Sequence, residues 1–418
     1  SEMCIRDRYT NSNSSFELRD GKMDRLQQST ENGLGLNLYV DGRFGSFSTN
    51  RLDKKELETL ITNGIESTRY LAVDESRMLA DPARYYKGGK PDLQLFDKKL
   101  YEVNPDDKVA IARAAAEEVL GKDERIISVD SSYSDGEGSS YRLISNGFEG
   151  ESKSTWFSVS ASVSIKGEGE ARPQDYWYDS ALFYDKLTKT GIGAKALERV
   201  LRKLGQKKAK SGKYTMVVDP MNVGNLLSPM LSALYGSALQ QKNSFLMDKL
   251  DTKVASDLFT LRDEPHAIGA NGSRYFDNEG VATEPRTVFD KGVLKTYFID
   301  TYNGKKMDIA PTISAPSRLI LTPGDKDLNG LVADIKQGIL VTGFNGGNSN
   351  SSTGDFSYGI EGFLIEDGKL TQPVNEMNVT GNMVTLWNSL VAVGNDPQPN
   401  RSWQIPSLVF EGVDFSGL

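Results

Sequence analysis

Histidine and cysteine, two residue types that often carry acid–base, nucleophilic or metal chemistry, are scarce in this chain of 418 residues, which contains one histidine, His266, and one cysteine, Cys4. A structural zinc site needs four nitrogen or sulfur ligands, and catalytic zinc usually has three protein ligands. One His and one Cys cannot supply either set, and a single Cys cannot form a disulfide within the chain. These counts exclude a Cys/His metal cage and leave His266 as the sole histidine for a Ser-His-Asp triad.

His266 follows two carboxylates, Asp263 and Glu264, and this spacing is that of a candidate acid–base site. Pro265 and the nearby Gly269 favour instead a turn, in which the histidine lies at the surface or forms an ordinary hydrogen bond. We therefore expect a turn here. An autonomous hydrolase that uses His266, Asp263 and Glu264 is kept as an alternative.

A second candidate is the long polar stretch at residues 343–359, GFNGGNSNSSTGDFSYG. No Gly-Lys-Ser/Thr follows its glycines, so it lacks the pattern of a phosphate-binding P-loop. It is either flexible loop or a ligand-contacting surface, because small residues leave backbone amides exposed to pair with an extended peptide. The predicted substrate contacts are Asn345, Gly346, Gly347, Gly354, Phe356 and Ser357.

The elements that position these residues divide into three predicted domains, at residues 10–80, 100–207 and 213–418. In the first, a strand at Phe16 and a second at residues 34–40 precede a helix that has Asp53 as its N-cap. In the second, a helix initiated at residues 104–107 precedes antiparallel strands. Predicted turns at residues 135–138 and 146–147 separate those strands.

The third predicted domain begins with a buried strand and a helix from about residue 221 to 241. Pro229 suits the first turn of a helix, so this helix is expected to start near Ser228. Short strands then alternate with Gly, Asn and Asp turns. The predicted fold is α+β, with N-terminal and central α/β units followed by a β-rich antiparallel C-terminal domain.

Composition also limits the partners and the location of the protein. The formal net charge of -8 argues against nucleic acid as the main partner, because phosphate binding needs a clustered cationic surface. No stretch approaches the roughly 18 apolar residues of a membrane span, and no leader pattern is present, so we expect a cytoplasmic protein. Residues 1–8 resemble a non-native addition, and we expect them to lie outside the fold.

Several segments, occurring in order from about Phe16 to the C-terminus, resemble the TldD/PmbA family, also called modulators of DNA gyrase. They are the segments at 19–21, 33–36, 277–283, 292–297, 353–359 and 391–396. In the TldD branch of that family, a helix carries a His-Glu-x-x-x-His motif and a Cys near the C-terminus completes the metal site of a peptidase. Such a site turns bound water into hydroxide near neutral pH.

Carried over to this chain, the two histidine positions fall on Leu227 and Ser232 and the glutamate position on Ser228. Leu227 has no donor atom, and the serine hydroxyls are poor zinc ligands and poor bases. No cysteine occurs at residues 401–404. The resemblance therefore implies the PmbA/TldE branch, with no metal and no catalytic residues on this chain.

That branch implies a non-catalytic subunit of a TldD/TldE-type metallopeptidase that acts on unfolded or extended peptides. Zinc is expected in a TldD-like partner, bound to this chain as a heterodimer; a homodimer with a second copy is the other possible assembly. A homodimeric peptide-binding module without proteolysis is the remaining alternative.

Overall fold

The computed structural model of the protein describes residues 2–418, and the contacts among them define two units. Unit 1 comprises the residues up to 202 together with 267–283, and unit 2 comprises residues 203–266 and 284–418. Within residues 2–418, no helix has both the length and the apolar character needed to cross a membrane. The predicted α+β fold, with a β-rich C-terminal part, is confirmed.

Unit 1 is built on one six-stranded antiparallel sheet in the order β3-β2-β1-β4-β5-β6. Its strands are β1 (Glu2–Arg19), β2 (Lys22–Val40), β3 (Arg43–Thr49), β4 (Ile126–Ile144), β5 (Phe148–Ile165) and β6 (Gln174–Ala181). Its helices are α1 (Lys54–Thr68), α2 (Pro105–Glu117) and α3 (Ile192–Leu201). The N-terminal and central segments, treated as separate units from the sequence, thus share a single sheet because β1 pairs with β4 from Ile5↔Ile144 to Arg19↔Asp130.

The predicted turn at residues 135–138 is wrong, because β4 continues through it without interruption. Gly136 serves close strand packing here: a Cβ atom on it would lie 2.4 Å from the backbone oxygen of Ser12 and 2.9 Å from the Trp156 indole nitrogen. A glycine at this register lets β1 and the Trp156 ring approach the strand. The predicted separation at residues 146–147 is confirmed as the β4–β5 turn.

Residues Glu2–Arg8, expected outside the fold, instead continue β1. They pair with β2 on one side, and from Ile5 onward with β4 on the other. Cys4 and Ile5 are each 9% exposed, and the Cys4 amide donates to the Ser145 hydroxyl. Two-sided backbone pairing and this burial hold the segment in the sheet.

Unit 2 contains a second and a third sheet. The five-stranded sheet, in the order β10-β9-β8-β11-β16, consists of β8 (Leu261–Asp263), β9 (Arg286–Asp290), β10 (Val293–Leu294), β11 (Leu319–Leu321) and β16 (Trp403–Gln404). The six-stranded sheet, in the order β14-β13-β12-β7-β17-β15, consists of β7 (Gly212–Val218), β12 (Gln337–Ser349), β13 (Asp355–Glu366), β14 (Lys369–Asn382), β15 (Leu390–Val393) and β17 (Leu408–Ser416). The helices are α4 (Gly224–Ser232), α5 (Gly236–Gln240), α6 (Thr301–Met307), α7 (Leu328–Ala333) and α8 (Met383–Asn388).

The six-stranded sheet of unit 2 closes on itself. Strand β17 pairs with β7 along its length, and its final residues also pair with β14. The strands β14, β13, β12, β7 and β17 therefore form a ring, with β15 paired outside it to β17. The neighbouring core centres on the fully buried Trp387, whose ring centroid lies 4.4 Å from that of Phe259 and 5.5 Å from that of Phe410.

The predicted helix at residues 221–241 forms in two pieces, α4 and α5, separated near residues 233–235. The expectation that it starts near Ser228 is wrong, because α4 begins at Gly224 and Pro229 lies inside it. A proline inside a helix lacks a backbone N–H, but its carbonyl can still accept a helical hydrogen bond. Here the Pro229 carbonyl accepts the Ala233 amide at 3.2 Å.

Candidate functional site

The first turn before α4 is hydrogen-bonded to the base of the β12–β13 hairpin. The Asn222 side-chain amide donates to the Asp219 carboxylate at 2.6 Å and to the Thr342 carbonyl at 2.9 Å. Asp219, which is 5% exposed, also accepts the backbone amide of Asn222 at 3.0 Å. Thr342 follows Val341, the last residue at which β12 pairs with β7. The start of α4 is therefore fixed beside the point where β12 leaves β7.

The far end of α4 is connected to the tip of the same hairpin. The Ser244 hydroxyl donates to the Ala233 carbonyl, just after α4, at 2.6 Å. The next residue, Phe245, donates its amide to the Ser351 carbonyl at 2.9 Å. Asn243 accepts the Ser351 hydroxyl at 2.7 Å. Helix α4 is thus anchored to the hairpin at both base and tip.

The hairpin is ordered by backbone pairing, so the interpretation of residues 343–359 as a flexible loop is wrong: only residues 350–354 form the turn. A bulge lies between Phe344 and Gly347, which pair with Ile360 and Tyr358 respectively. Beyond Val341, no strand in the described part of the chain pairs with the other edge of β12. This outer edge therefore presents its backbone groups away from the sheet.

The register identifies which backbone groups point outward. The Asn350 amide donates to the Asp355 carbonyl at 2.7 Å, which makes these two residues a hydrogen-bonded pair. Hydrogen-bonded and non-hydrogen-bonded pairs alternate along antiparallel strands. Asn348 therefore bonds to β13, whereas the N–H and C=O of Gly347 and Ser349 point to the unpaired edge.

The predicted substrate contacts separate into two groups. The exposed ones lie on the outer hairpin; they are Asn345, Gly346, Gly347 and Ser357. Gly354 and Phe356 are buried, because Gly354 packs against the Phe245 ring and Phe356 stacks on Tyr358 with centroids 5.4 Å apart. These two residues support the hairpin from within instead of facing a ligand.

The three positions that correspond to the metal motif do not face one direction. Leu227 is fully buried, whereas Ser228 and Ser232 are exposed on the other side of α4. An aliphatic side chain and two hydroxyls do not fit zinc, which takes imidazole, thiolate or carboxylate ligands. Within residues 2–418, no group of three or more His, Cys, Asp or Glu side chains is arranged to hold a metal ion.

The carboxylates near His266 have structural partners. Asp263 is 2% exposed, and its carboxylate accepts the backbone amides of Ser317 and Arg318 at 2.8–3.1 Å. Glu264 accepts the Arg262 guanidinium at 2.7 Å. The expected turn is present at residues 265–266. In this arrangement the Asp263 carboxylate joins two chain segments.

The residues that anchor the hairpin, Asp219, Asn222 and Ser244, were not identified from the sequence. A signal was present for the first two, since an Asp directly after a buried strand and an Asn three residues later are typical of side-chain-capped turns. The third bond joins residues 11 apart, and no local pattern indicates it.

Comparison with known proteins gives the family of the chain. Models of the PmbA/TldA metallopeptidases match at residues 9–68 (domain 1), 98–204 (central domain) and 211–417 (C-terminal domain). A metalloprotease PmbA homolog from Haemophilus influenzae is 28% identical over 411 residues, with 96% of this chain and 90% of that protein covered. The metalloprotease PmbA of Escherichia coli O157:H7 is 26% identical, with the same coverage.

Solved structures agree with this relationship. A candidate modulator of DNA gyrase from Bacteroides thetaiotaomicron is 72% identical, with a TM-score of 0.98 over 100% of this chain and 95% of that one. TldE from Thermococcus kodakarensis shares the fold, with a TM-score of 0.85 at 20% identity over 100% of this chain and 97% of that one. The resemblance found in the sequence is confirmed, and the chain belongs to the PmbA/TldD metallopeptidase family.

Proposed function

We propose that this chain is a PmbA/TldE-type subunit that binds extended peptide and assists its hydrolysis without contributing a metal centre. The observation that carries the proposal is that two features lie side by side, one on α4 and one on the β12–β13 hairpin. The motif positions hold Leu227, Ser228 and Ser232, and the adjacent hairpin offers the outward backbone groups of Gly347 and Ser349.

The peptide would bind as an additional strand on β12. Strand addition uses main-chain hydrogen bonds for affinity, so it accepts many sequences provided that the segment is extended. Asn345, Gly346, Gly347 and Ser357 would form the contact surface around that strand. Because α4 fixes the hairpin at base and tip, the edge is held in shape before the peptide arrives, which lowers the entropy cost of binding.

The metal and the water-derived nucleophile would come from a TldD-like partner, as a heterodimer. The experiment is to measure zinc content and cleavage of an unstructured peptide for this chain alone, for a TldD-type partner alone, and for the mixture. We expect no zinc and no cleavage for this chain, and cleavage by the mixture above the partner's own rate. Stoichiometric zinc, or turnover by this chain alone, would overturn the proposal.

The strand-addition step has its own matched pair of variants. Ser349→Pro removes the outward N–H without removing a bond to β13, whereas Ser349→Ala keeps that N–H and removes only the hydroxyl. We expect Ser349→Pro to weaken binding of a fluorescent unstructured peptide by about fivefold, since about 1 kcal/mol is a typical net hydrogen-bond contribution. Ser349→Ala should bind as the parent does; equal losses in both variants would exclude strand addition at this edge.

The second candidate function is that of a homodimeric peptide-binding module without proteolysis. Such a module would bind its peptide at the same outer edge of β12. Sedimentation of the chain alone and with the TldD-type partner separates the two. A stable homodimer that binds peptide, ignores the partner and leaves its cleavage rate unchanged would favour the module.

A further inference from the structure

Unit 2 contains a cavity of about 760 Å³ that no part of the proposed function uses. Its walls are largely aliphatic and come from α5, the segment after it, and the ends of α6; they include Leu239, Met247, Leu250, Ile299, Met307 and Ile309. A cavity of this size is in the range that holds small organic ligands. Methionines allow such walls to adapt to ligand shape.

Two of the aliphatic side chains in the cavity wall are almost half exposed to solvent. Leu250 is 45% exposed and Ile309 is 44% exposed, although both line the cavity. A ligand with an apolar body would remove this surface from water, and that transfer favours binding in proportion to the apolar area buried.

The polar groups of the cavity wall are largely engaged within the protein. The Tyr297 hydroxyl donates to the Leu246 carbonyl at 2.5 Å and accepts the Lys249 amide at 3.0 Å. The Thr296 hydroxyl donates to the Thr287 carbonyl at 2.6 Å. The wall therefore offers a ligand mainly apolar contact, and its specificity has to come from charge.

That charge is supplied by two cations that line the cavity, Arg286 and Lys295. The Lys295 amide donates to the Val288 carbonyl at 2.8 Å, one residue beyond the last pair of β9 and β10. This bond holds the backbone of Lys295 close to β9, the strand that carries Arg286.

Lys295 is engaged only at the surface. Its ammonium donates to Asp251 at 2.8 Å, and the Asp251 side chain is 69% exposed. Such an exposed pair contributes little, so an incoming carboxylate can exchange with it. Asp251 is not among the residues that line the cavity; the lining contains one carboxylate, Asp248, and two cations, Arg286 and Lys295.

We propose that this cavity binds a small apolar carboxylate, with the hydrocarbon part among Leu250, Ile299 and Ile309 and the carboxylate at Arg286 and Lys295. The carboxylate could belong to a free fatty acid of medium length or to the C-terminal residue of a peptide. The inference rests on the cavity and its charges, and is independent of the peptide edge on β12.

The experiment is calorimetric titration of the full chain with octanoate and with octanamide, which has nearly the same shape but no charge. We expect 1:1 binding of octanoate that is about tenfold tighter than that of octanamide, as a hydrogen bond to a charged group implies. Arg286→Gln should remove most of that preference and leave octanamide binding unchanged. No binding of octanoate, or equal binding of both compounds, would overturn the proposal.

Two leucines provide a matched control for the apolar part. Leu250→Asp places a carboxylate among the aliphatic wall residues, whereas Leu258→Asp makes the same change at a side chain of nearly equal exposure, 44%, outside the cavity lining. We expect Leu250→Asp to weaken octanoate by about tenfold or more and Leu258→Asp to have no effect. Equal losses would show that binding is not at this cavity. Unfolding curves of both variants confirm that they are folded.

A second titration distinguishes the two sources of the carboxylate. N-acetyl-Leu-Leu with a free C-terminus is compared with its C-terminal amide and with octanoate. Tighter binding of the free-acid dipeptide than of octanoate identifies a peptide C-terminus, and the reverse order identifies a fatty acid. Equal binding of the dipeptide acid and its amide would exclude the peptide source.

Discussion

The side-chain amide of Asn222 donates to the backbone carbonyl of Thr342 at 2.9 Å, across 120 residues of sequence. This bond sits where β12 separates from β7, so it links the start of α4 to the outer hairpin. The same amide also donates a hydrogen bond to the carboxylate of Asp219, which is buried.

Asn222→Ala should lower the free energy of unfolding by about 2 kcal/mol, because the Thr342 carbonyl and the Asp219 carboxylate each lose a donor. Urea denaturation measures this. The control is Asn225→Ala, since Asn225 is exposed and its amide makes a single bond to the Asn222 carbonyl. A loss for Asn222→Ala no larger than that for Asn225→Ala would contradict the anchoring role.

Substitutions at the three motif positions of α4 should have very different effects on stability. Leu227→His places a polar ring in a fully buried site, and we expect a loss of about 3 kcal/mol of stability. Ser228→Glu and Ser232→His, at exposed positions, should each change stability by about 0.5 kcal/mol or less. The triple variant should not bind zinc tightly, because the thiolate is missing and position 227 faces the core; nanomolar zinc binding by calorimetry would refute this.

In unit 1, Lys108 and Asp135 form a buried ion pair with a 2.7 Å contact and side-chain exposures of 9% and 2%. The Ser14 and Tyr133 hydroxyls also donate to Asp135. Lys108→Met should cost about 3 kcal/mol or more, because it leaves a buried carboxylate without its cation.

The control for that variant is Lys195→Met, which removes an exposed pair with Glu198 and should cost about 0.5 kcal/mol or less. A double change, Lys108→Met with Asp135→Leu, should recover part of the stability because no uncompensated charge remains. Denaturant midpoints of the three variants test this order. The prediction fails if the double variant is less stable than Lys108→Met alone.

The ionisation of the Tyr297 hydroxyl should make the free energy of unfolding depend on pH in the alkaline range. Burial raises the pKa of its hydroxyl above the ordinary value. A raised folded-state pKa gives a contribution to stability that is complete below about pH 10, the unfolded value, and is lost as pH rises through the folded pKa. Tyr297→Phe should cost about 1 kcal/mol at pH 7 through its lost hydrogen bonds.

The same variant should lose stability less steeply than the parent between pH 10 and 11, because it lacks this titrating group. Urea unfolding at pH 7, 10 and 11 gives the difference between the two proteins. Parallel pH profiles would show that the Tyr297 hydroxyl ionises alike in the folded and unfolded states.

Local signals predicted where two helices of unit 1, α1 and α2, begin. Asp53 accepts the Glu56 amide at 3.1 Å, and Asn104 accepts the Asp107 amide at 2.9 Å, so α1 and α2 begin where their cap residues indicate. Such caps act within one turn, and a sequence window contains all the information required. The family resemblance rests likewise on short segments that occur in order.

The hairpin and β4 could not be predicted in the same way. Gly136 and Gly347 are typical of turns in isolation, yet both lie in long strands, because Gly136 pairs with Asn13 of the distant β1 and Gly347 pairs with Tyr358 across the hairpin. The opposite facing of Leu227 and Ser228 depends on how α4 docks against the Trp387 core, where the indole donates to the Leu226 carbonyl at 3.3 Å. Long-range contacts of this kind leave no periodic trace in the residues concerned.

Closure of the ring by β17 has a consequence for synthesis on the ribosome. Residues 408–416 lie between β7 and β14, so β7, made almost two hundred residues earlier, lacks one of its two neighbours until they emerge. The ring of strands in unit 2 therefore cannot close during translation, and the edges of its strands stay unpaired for most of that time. A nascent chain stalled before residue 408 should therefore be sensitive to protease in unit 2 and prone to capture by chaperones that recognise exposed strands.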